Sequence, residues 1–324
     1  MGEDEVRTRL SADPEATRKN MYQVRHYMDH LSAADLERRA KDILFNRELG
    51  APADVLVNPP PTGWDSLWRD VVDEVYRRFG DSGGGQEFLE QIIKQFEADA
   101  LTRPRLPDDQ VAAFLDRASV DRDFLVRYSK RRYLEEFVSQ GHVQIRPASM
   151  YKDPSLNPGV RDDELRLAIQ PNPSETKLEV FGRNGQSKGR IEPIDSLLTM
   201  VAPTDYYVYC MSGLLSPDLF HDFGADSCVL IWDLKVFQER LLEGLNSRLP
   251  YPAWGGQIER VQYVDPLNTA FRQFHIYRAK HFRYAYQQEY RLVWCPAATT
   301  PVGALETIKL ELGDMRDCCE LLYL

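Results

Sequence analysis

"YQQEYRLVW", residues 286–294, joins two kinds of local sequence. Residues 290–294 are aromatic or aliphatic except for Arg291, as is typical of a β-strand. Directly before them stand polar groups, among them the amide of Gln287 and the carboxylate of Glu289. In an extended chain, side chains two residues apart point to the same side, so Gln287, Glu289 and Arg291 are expected to share one face. An acid at the start of a strand is either a solvated strand end or part of a functional site, and both interpretations stay open here.

The composition of the 324 residues allows one large domain or two ordinary ones. Hydrophobic residues make up 43%, which is enough for a sizeable core. There is no run of about 18 apolar residues, so we expect no membrane span. Residues 1–20 are polar and charged and lack the apolar stretch of a signal peptide. The sequence therefore predicts a cytoplasmic protein without membrane contact.

The cysteines and histidines show no metal-binding pattern. Five cysteines are present, none in a CxxC pair, and Cys210, Cys228 and Cys295 lie in apolar runs where cysteine behaves as a small hydrophobe. This usage is typical of a reducing compartment. The six histidines show no paired zinc-ligand spacing, so we predict no metal site.

The first 118 residues predict an all-helical N-terminal region. In residues 16–46 apolar side chains recur at spacings near three and four, and residues 64–79 carry an apolar stripe. Further helices are predicted over residues 86–100 and 107–118. We find no catalytic motif in this region.

Residues 119–324 predict an α+β domain with short strands. A helix is expected over residues 131–140 and another over about 266–282. The strongest strand signals are residues 124–128, 142–146, 206–211, 228–232, 261–264 and 290–294. The order is not a regular βαβ alternation, so a doubly wound sheet is not expected.

Two stretches interleave basic and aromatic residues, although the net charge of −10 argues against nucleic-acid binding by the whole surface. They are residues 127–133 and residues 271–291. Such stretches can hold phosphates and stacked bases. An amphipathic helix with a cationic solvent face explains them equally well.

Polar groups stand at the ends of three predicted strands. Arg127 and Tyr128 end the first, Ser212 follows residues 206–211, and Glu289 precedes the last. A cation, an aromatic ring, a hydroxyl and a carboxylate suit a ligand that carries phosphates, a flat ring and ribose hydroxyls. Two alternatives remain: the Ser212 hydroxyl bonds backbone, and Glu289 pairs with Arg291 or Lys280.

This order of strand-end residues resembles the ADP-ribosyltransferase fold of bacterial toxins and of toxin–antitoxin or phage-defence proteins. It is still more similar to a bacterial domain family of unknown function. That family has a Lys/Arg-Tyr first strand, an "FNDPxE"-like loop, a "CFS" strand and a closing K-x3-W-x2-E-x-E-x-R element. The counterparts here are Arg127-Tyr128, Tyr151-Lys152-Asp153-Pro154, Cys210-Met211-Ser212, and the set Lys280, Tyr284, Gln287, Glu289 and Arg291. The resemblance covers roughly residues 123–297, with Tyr284 in place of Trp, Gln287 in place of Glu, and no Asn before Asp153.

The resemblance implies a split, mostly antiparallel sheet and NAD as cofactor. Glu289 would bond the nicotinamide ribose and stabilise an oxocarbenium-like transition state, while Gln287 would act on the acceptor and argues against arginine as that acceptor. The residues implied to bind NAD are Arg127, Tyr128, Tyr151, Ser212 and Arg291. The implied activity is ADP-ribosyl transfer to a macromolecular acceptor, protein or nucleic acid, in a bacterial toxin or phage-defence setting. The helical N-terminal region would then dock an antitoxin or defence-system partner.

Two other function classes stay open. A metal-dependent nuclease would use the acids of one loop, Asp153, Asp162, Asp163 and Glu164, because carboxylates bind hard cations. Such a site calls for Glu-x-Lys on the next strand, whereas this chain has Glu-x-Arg. The third class is a non-catalytic module that binds NAD, another nucleotide or a protein. It is favoured if Glu289 is paired away from any cleft.

Overall fold

The computed structural model describes residues 26–57, 63–81, 83–102, 111–112, 123–170, 178–181, 186–191, 198–267, 275–297 and 304–323. The chain is a mixed helix and sheet protein, with a helical N-terminal region and a mostly antiparallel sheet. Within these ranges no helix is both long enough and apolar enough to cross a bilayer.

Three helices form the described N-terminal region: α1 (Ala33–Glu48), α2 (Trp64–Phe79) and α3 (Gly84–Thr102). The Ser32 hydroxyl caps α1 by accepting the Asp35 N–H at 3.1 Å. Helix α2 has the predicted bounds. Of the helices predicted over residues 16–46, the described part contains α1, which begins at Ala33 after a turn at residues 27–30, and residues 16–25 lie outside the described residues. Most of the helix predicted over residues 107–118 lies outside the described residues.

The described part of the C-terminal half contains short strands and three α-helices. The helices are α4 (Arg131–Gln140), α5 (Pro217–Asp222) and α6 (Leu234–Asn246). The strands are β1 (Leu125–Ser129), β2 (His142–Pro147), β3 (Arg166–Ile169), β4 (Leu178–Phe181), β5 (Ser187–Ile191), β6 (Leu198–Val201), β7 (Tyr207–Ser212), β8 (Ser227–Ile231), β9 (Ala253–Gly255), β10 (Glu259–Arg260), β11 (Gln262–Val264), β12 (Ala279–His281), β13 (Glu289–Pro296), β14 (Ile308–Glu311) and β15 (Cys319–Tyr323).

The main sheet runs in the order β10-β13-β7-β1-β8-β15, with every neighbouring pair antiparallel. Its centre is apolar on both faces, since all five residues of β8 are buried. Three small two-stranded pairings lie beside it, β3 with β6, β4 with β5, and β11 with β12. Of these, β11 and β12 run parallel.

The main sheet divides along one edge of β7. On its other edge β7 pairs with β13 along its whole length, from Tyr207 to Ser212. On the dividing edge, β2 pairs only with Tyr207 and Val208, and β1 pairs only with Ser212. Strand β2 then leaves the sheet to pair with β14. Residues 209–211 therefore face a gap between β1 and β2.

The helical region and the sheet share one hydrophobic cluster, which includes Leu36, Val71, Tyr263 and Phe282. A buried ion pair also joins them, because Arg39 of α1 donates to both carboxylate oxygens of Asp265 at 2.7 and 2.8 Å. The division into residues 1–118 and 119–324 remains a prediction, but the described parts of the two regions pack as neighbours.

Asn46 of α1 makes a second polar connection. It is fully buried, its amide nitrogen lies 3.3 Å from the Phe282 carbonyl and 3.2 Å from the Arg283 carbonyl, and its amide oxygen accepts the Tyr286 N–H at 2.8 Å. The segment that leads into β13 is thus fixed by α1.

The helix predicted over about 266–282 is wrong in its described part. Residues 275–287 form a 3₁₀ turn (Ile276–Arg278), the strand β12, and a second 3₁₀ turn (Phe282–Gln287). The aromatic rings of this segment pack in different directions, Phe282 against Trp64 of α2 and Tyr277 against Tyr206 next to β7, so tertiary packing sets the local structure. The cationic helix face suggested for residues 271–291 is also excluded for Lys280 and Arg291, which are buried.

Candidate functional site

A cavity of about 1060 Å³ opens at the gap between β1 and β2. Its volume is at the upper end of the range of about 300–1,000 Å³ typical of small-molecule sites. Six of the seven predicted site residues line it: Arg127, Tyr128, Tyr151, Ser212, Gln287 and Glu289. The division of the sheet therefore brings together residues that lie up to 162 positions apart in the sequence.

Glu289, the first residue of β13, lies on the cavity wall and is only 5% exposed. Its carboxylate accepts hydrogen bonds from Lys280 Nζ at 2.8 Å and from Arg291 Nε. Its backbone N–H donates to the Tyr263 hydroxyl at 2.8 Å. Burial alone would raise the pKa of Glu289, but Arg291 and Lys280 outweigh it and hold the pKa well below its usual value.

The structure thus combines two interpretations of Glu289 that the sequence left open. The carboxylate is paired with both Lys280 and Arg291, and it still borders the cavity. An ionised carboxylate offers about four acceptor positions, so two hydrogen bonds leave capacity for a ligand hydroxyl.

Gln287 is held by the protein on both sides of its amide. The oxygen accepts from Lys280 Nζ at 3.1 Å, and the nitrogen donates to the Gly159 carbonyl at 2.8 Å. The Lys280 ammonium also lies 4.7 Å from the ring centroid of Tyr284. Gln287 therefore connects the loop at Gly159 to the Lys280–Glu289 pair, and its amide has little freedom to act on an acceptor.

Arg291 lies behind the cavity wall, not on it. It is 1% exposed, and its guanidinium donates to Glu289 and, at 2.8 Å, to Glu164. It therefore positions two carboxylates, and the prediction that it contacts NAD directly gains no support from this placement. Its Nη1 is a buried nitrogen without a hydrogen-bond partner among the described residues.

Glu164 is a member of the site that sequence patterns did not identify as such. It lines the cavity and shares Arg291 with Glu289. Burial raises the pKa of Glu164 to about 7, while Arg291 and Lys280 act against the rise. The two acids thus have pKa values displaced in opposite directions, because Glu289 faces two direct cationic donors and Glu164 faces one.

Two cavity residues keep hydrogen-bond donors for a ligand. Arg127 uses Nη1 to donate to the Cys210 carbonyl at 2.6 Å, on the part of β7 that has no strand partner. Its other guanidinium N–H groups, and the hydroxyl of Tyr151, have no hydrogen-bond partner among the described residues. Both side chains can therefore bind phosphate or hydroxyl oxygens.

The hydroxyls of Ser212 and Tyr128 are already used by backbone. Ser212 donates to the Gln287 carbonyl at 2.7 Å and accepts the Leu214 N–H at 3.0 Å. The Tyr128 hydroxyl donates to the Leu214 carbonyl at 2.7 Å and accepts the Ser216 N–H at 2.9 Å. This geometry matches the backbone-bonding alternative for Ser212 and leaves Tyr128 only its ring edge for a ligand.

The acidic loop gives no support to the nuclease alternative. Asp153 accepts the Ser155 N–H at 2.8 Å, as in an ordinary turn. Across the described residues, His26, Asp29 and Glu74 are the group close enough to hold a metal ion, and none of them lines the cavity. Arg77 contacts both acids of that group, which places a cation where a metal would have to sit.

Comparisons with protein-family models, with curated proteins and with solved structures give no match for this chain. The resemblance to ADP-ribosyltransferases therefore stays a prediction, and the cavity itself must carry the functional argument.

Proposed function

We propose that this protein transfers ADP-ribose from NAD to a macromolecular acceptor. The observation that carries the proposal is the ionised carboxylate of Glu289, fixed by Lys280 and Arg291 on the wall of a cavity large enough for a dinucleotide. The bacterial toxin or phage-defence setting is part of the proposal and follows from the sequence resemblance alone.

The reaction breaks the bond between the nicotinamide nitrogen and C1′ of the ribose. The bonding electrons leave with nicotinamide, and C1′ gains positive charge before the acceptor attacks it and releases its proton. A fixed carboxylate beside the ribose stabilises this charge without reorganising. Arg127 and Tyr151 supply donors for the phosphates and hydroxyls of NAD.

Lys280 and Arg291 both support and limit this effect. They keep Glu289 ionised and in one position, but their own charge offsets part of its attraction for the developing cation. The stabilisation is greater in the transition state than in bound NAD, because only the transition state carries the positive ribose.

A non-catalytic module that binds NAD or another nucleotide is the second candidate. The observation that favours it is that Gln287, Ser212 and Glu289 are all hydrogen-bonded to the protein itself. In that case the cavity would bind its ligand through Arg127 and Tyr151 without breaking it.

Replacing Glu289 separates the two candidates. Glu289→Gln keeps size and polarity but removes the charge, so we expect turnover to fall by about 10²-fold or more while NAD affinity changes little. Nicotinamide release from labelled NAD, with and without cell lysate as acceptor, measures turnover, and calorimetry measures affinity.

Glu320→Gln is the matched control, since Glu320 is an exposed acid of β15 that does not line the cavity. Thermal unfolding of each variant checks that the protein still folds when Glu289 no longer neutralises Lys280 and Arg291. Equal, measurable nicotinamide release by wild type and Glu289→Gln would contradict the role proposed for the Glu289 carboxylate. No release by wild type with every acceptor class supplied would favour the non-catalytic module.

A further inference from the structure

One wall of the cavity is made by β2 and β14 and carries positive charge. Gln144 and Arg146 alternate on one face of β2, and Lys309 stands opposite Gln144 in the antiparallel register, so the three side chains share a face. Arg248, just after α6, lines the same cavity. We call Arg146, Arg248 and Lys309 the cationic arm.

The side chains of the cationic arm have no ion-pair or hydrogen-bond partner among the described residues. This differs from the buried part of the cavity, where Lys280 pairs with Glu289 and Arg291 pairs with Glu289 and Glu164. Cations that line a cavity without a protein partner are available to an anionic ligand.

Two acids also line this wall, but at its other end. Glu311 stands opposite His142 in the register of β14 and β2, and Glu136 of α4 contacts His142 at 3.3 Å. Charge is therefore separated along the wall, with the acids around His142. Arg146, two residues beyond Gln144, lies at the end where β2 meets β7.

The cationic arm is continuous with the Glu289 site through Tyr151. Tyr151 lines the same cavity as Arg127 and Arg146, and both guanidinium groups are near enough to act electrostatically on its hydroxyl. An anion on the arm would therefore lie next to the residues that we propose bind NAD.

An exposed aromatic ring borders the same cavity. Tyr133 of α4 is 48% exposed, and the guanidinium of Arg132 lies 4.6 Å from its ring centroid. Lys130 also lines the cavity. These residues belong to the basic and aromatic stretch 127–133. Lys130 pairs with Asp226 at 3.9 Å, so the half-exposed ring of Tyr133 stands beside one paired cation, with Arg132 over one of its faces.

We propose that the cationic arm and Tyr133 bind a single-stranded nucleic acid, which is the acceptor of the transfer reaction. The transfer of ADP-ribose to the strand rests on the proposed function, whereas the binding of the strand does not. The unpaired cations suit successive phosphates, and an exposed ring suits stacking of a base. An acidic peptide would use the cations but would have no need of the ring.

The test measures binding of fluorescently labelled single-stranded DNA and RNA 12-mers by polarisation, without NAD. The triple variant Arg146→Gln/Arg248→Gln/Lys309→Gln is expected to bind at least about tenfold more weakly than wild type. Its slope of log affinity against log salt should be smaller by about 2, since each phosphate contact on a single strand contributes about 0.7. Tyr133→Ala should weaken binding without changing that slope.

A charge-matched control neutralises three exposed lysines that do not line the cavity, Lys94→Gln/Lys152→Gln/Lys235→Gln, and should bind like wild type. The inference is overturned if wild type binds neither strand, or if the two triple variants bind equally. It is also overturned if poly-glutamate competes as well as unlabelled strand. Loss of NAD binding in the arm variant, with strand binding intact, would instead assign the arm to the NAD diphosphate and overturn the inference.

Nicotinamide release without acceptor separates this inference from the proposed function. Release by wild type together with failure to bind either strand removes the nucleic-acid acceptor and leaves the transferase. Strand binding without any release, with strand supplied as acceptor, removes the transferase and leaves a nucleic-acid site.

Discussion

His281 shows how one residue next to the site makes stability depend on pH. Its Nδ1 accepts the Arg283 N–H at 3.1 Å and so caps the 3₁₀ turn that leads to β13. Protonation would put a donor where an acceptor is needed. Burial lowers the pKa of His281 to about 3. The charges of Arg283 and Arg39 add to this decrease, and the charge of Asp265 acts against it.

The expected pH dependence follows from the direction of this shift. Between its usual value of about 6.5 and 3, the unfolded state binds a proton that the folded state excludes. The contribution of His281 to stability is therefore present above pH 6.5 and decreases as the pH falls from 6.5 to 3. His281→Asn keeps a capping acceptor and does not titrate. Denaturant unfolding at pH 7 and pH 5 should show a smaller loss for His281→Asn than for wild type, and equal losses would contradict this role.

At this scale the sequence predicts partners that lie close in the chain, such as Lys280 and Arg291 for Glu289, but not partners that lie far apart. The alternation of Glu289 and Arg291 within β13 is local, so it can be recognised without a structure, whereas Gln287 belongs to the preceding 3₁₀ turn and is separated from β13 by the left-handed backbone of Gln288. Glu164, which shares Arg291 with Glu289, is 127 residues before Arg291, and nothing in its acidic loop distinguishes it from its solvated neighbours. The backbone bonds of Ser212 likewise depend on where Gln287 is placed.

Two glycines that follow helices differ in how closely other parts of the chain approach them. Gly141 follows α4 and Gly50 follows α1, and both have left-handed backbone, with φ of 69° and 64°. A Cβ at Gly50 would meet no atom within 4 Å, whereas one at Gly141 would lie 2.6 Å from the Gly313 carbonyl oxygen and from the Leu312 nitrogen. The turn after β14 therefore packs directly on the end of α4.

We expect Gly50→Ala to cost about 1–2 kcal/mol of unfolding free energy, the usual penalty for a left-handed non-glycine residue. Gly141→Ala should cost clearly more, because the backbone of residues 312–313 must also move. Urea unfolding of both variants gives the comparison. Equal losses of unfolding free energy would show that the backbone of residues 312–313 moves away from α4 at little cost.

Elements with a continuous apolar run are predicted well, and elements set by tertiary contacts are not. Strands β1, β7 and β13 lie within two residues of their predicted bounds, because their apolar composition suits a buried sheet. The helix predicted over about 266–282 is wrong in its described part, since Tyr277 and Phe282 pack against Tyr206 and Trp64 instead of sharing one helix face. Helix α6 was not predicted, although Phe237, Leu241 and Leu245 recur every four residues after the cap Asp233 and give a readable signal.

For the whole molecule, the Arg39–Asp265 pair joins the helical region to the sheet. Both side chains are almost completely buried, so removing one partner leaves an uncompensated charge in the core. Arg39→Met is expected to cost about 3–5 kcal/mol, and Arg39→Met/Asp265→Leu less than the sum of its single variants. Arg47→Met on the same helix breaks the exposed pair with Asp65 and should cost under about 1 kcal/mol.

Urea unfolding followed by circular dichroism and by tryptophan fluorescence checks both the costs and the cooperativity. Coincident transitions are expected, because the helices and the sheet share one hydrophobic cluster. A separate early transition of the helices in wild type would show that the ion pair does not couple them to the sheet.

The hydrogen bonds of Asn46 also determine when the candidate site can form during synthesis of the chain. The ribosome makes Asn46 some 240 residues before Tyr286, the N–H that its side chain accepts. At about 5–20 residues per second, roughly 10 to 50 seconds pass between the two. Until then α1 exposes the Asn46 amide and the Arg39 guanidinium, which are buried in the finished fold. The candidate site can therefore assemble only after residue 291 has been made, and a chain that stops before residue 287 lacks Gln287, Glu289 and Arg291.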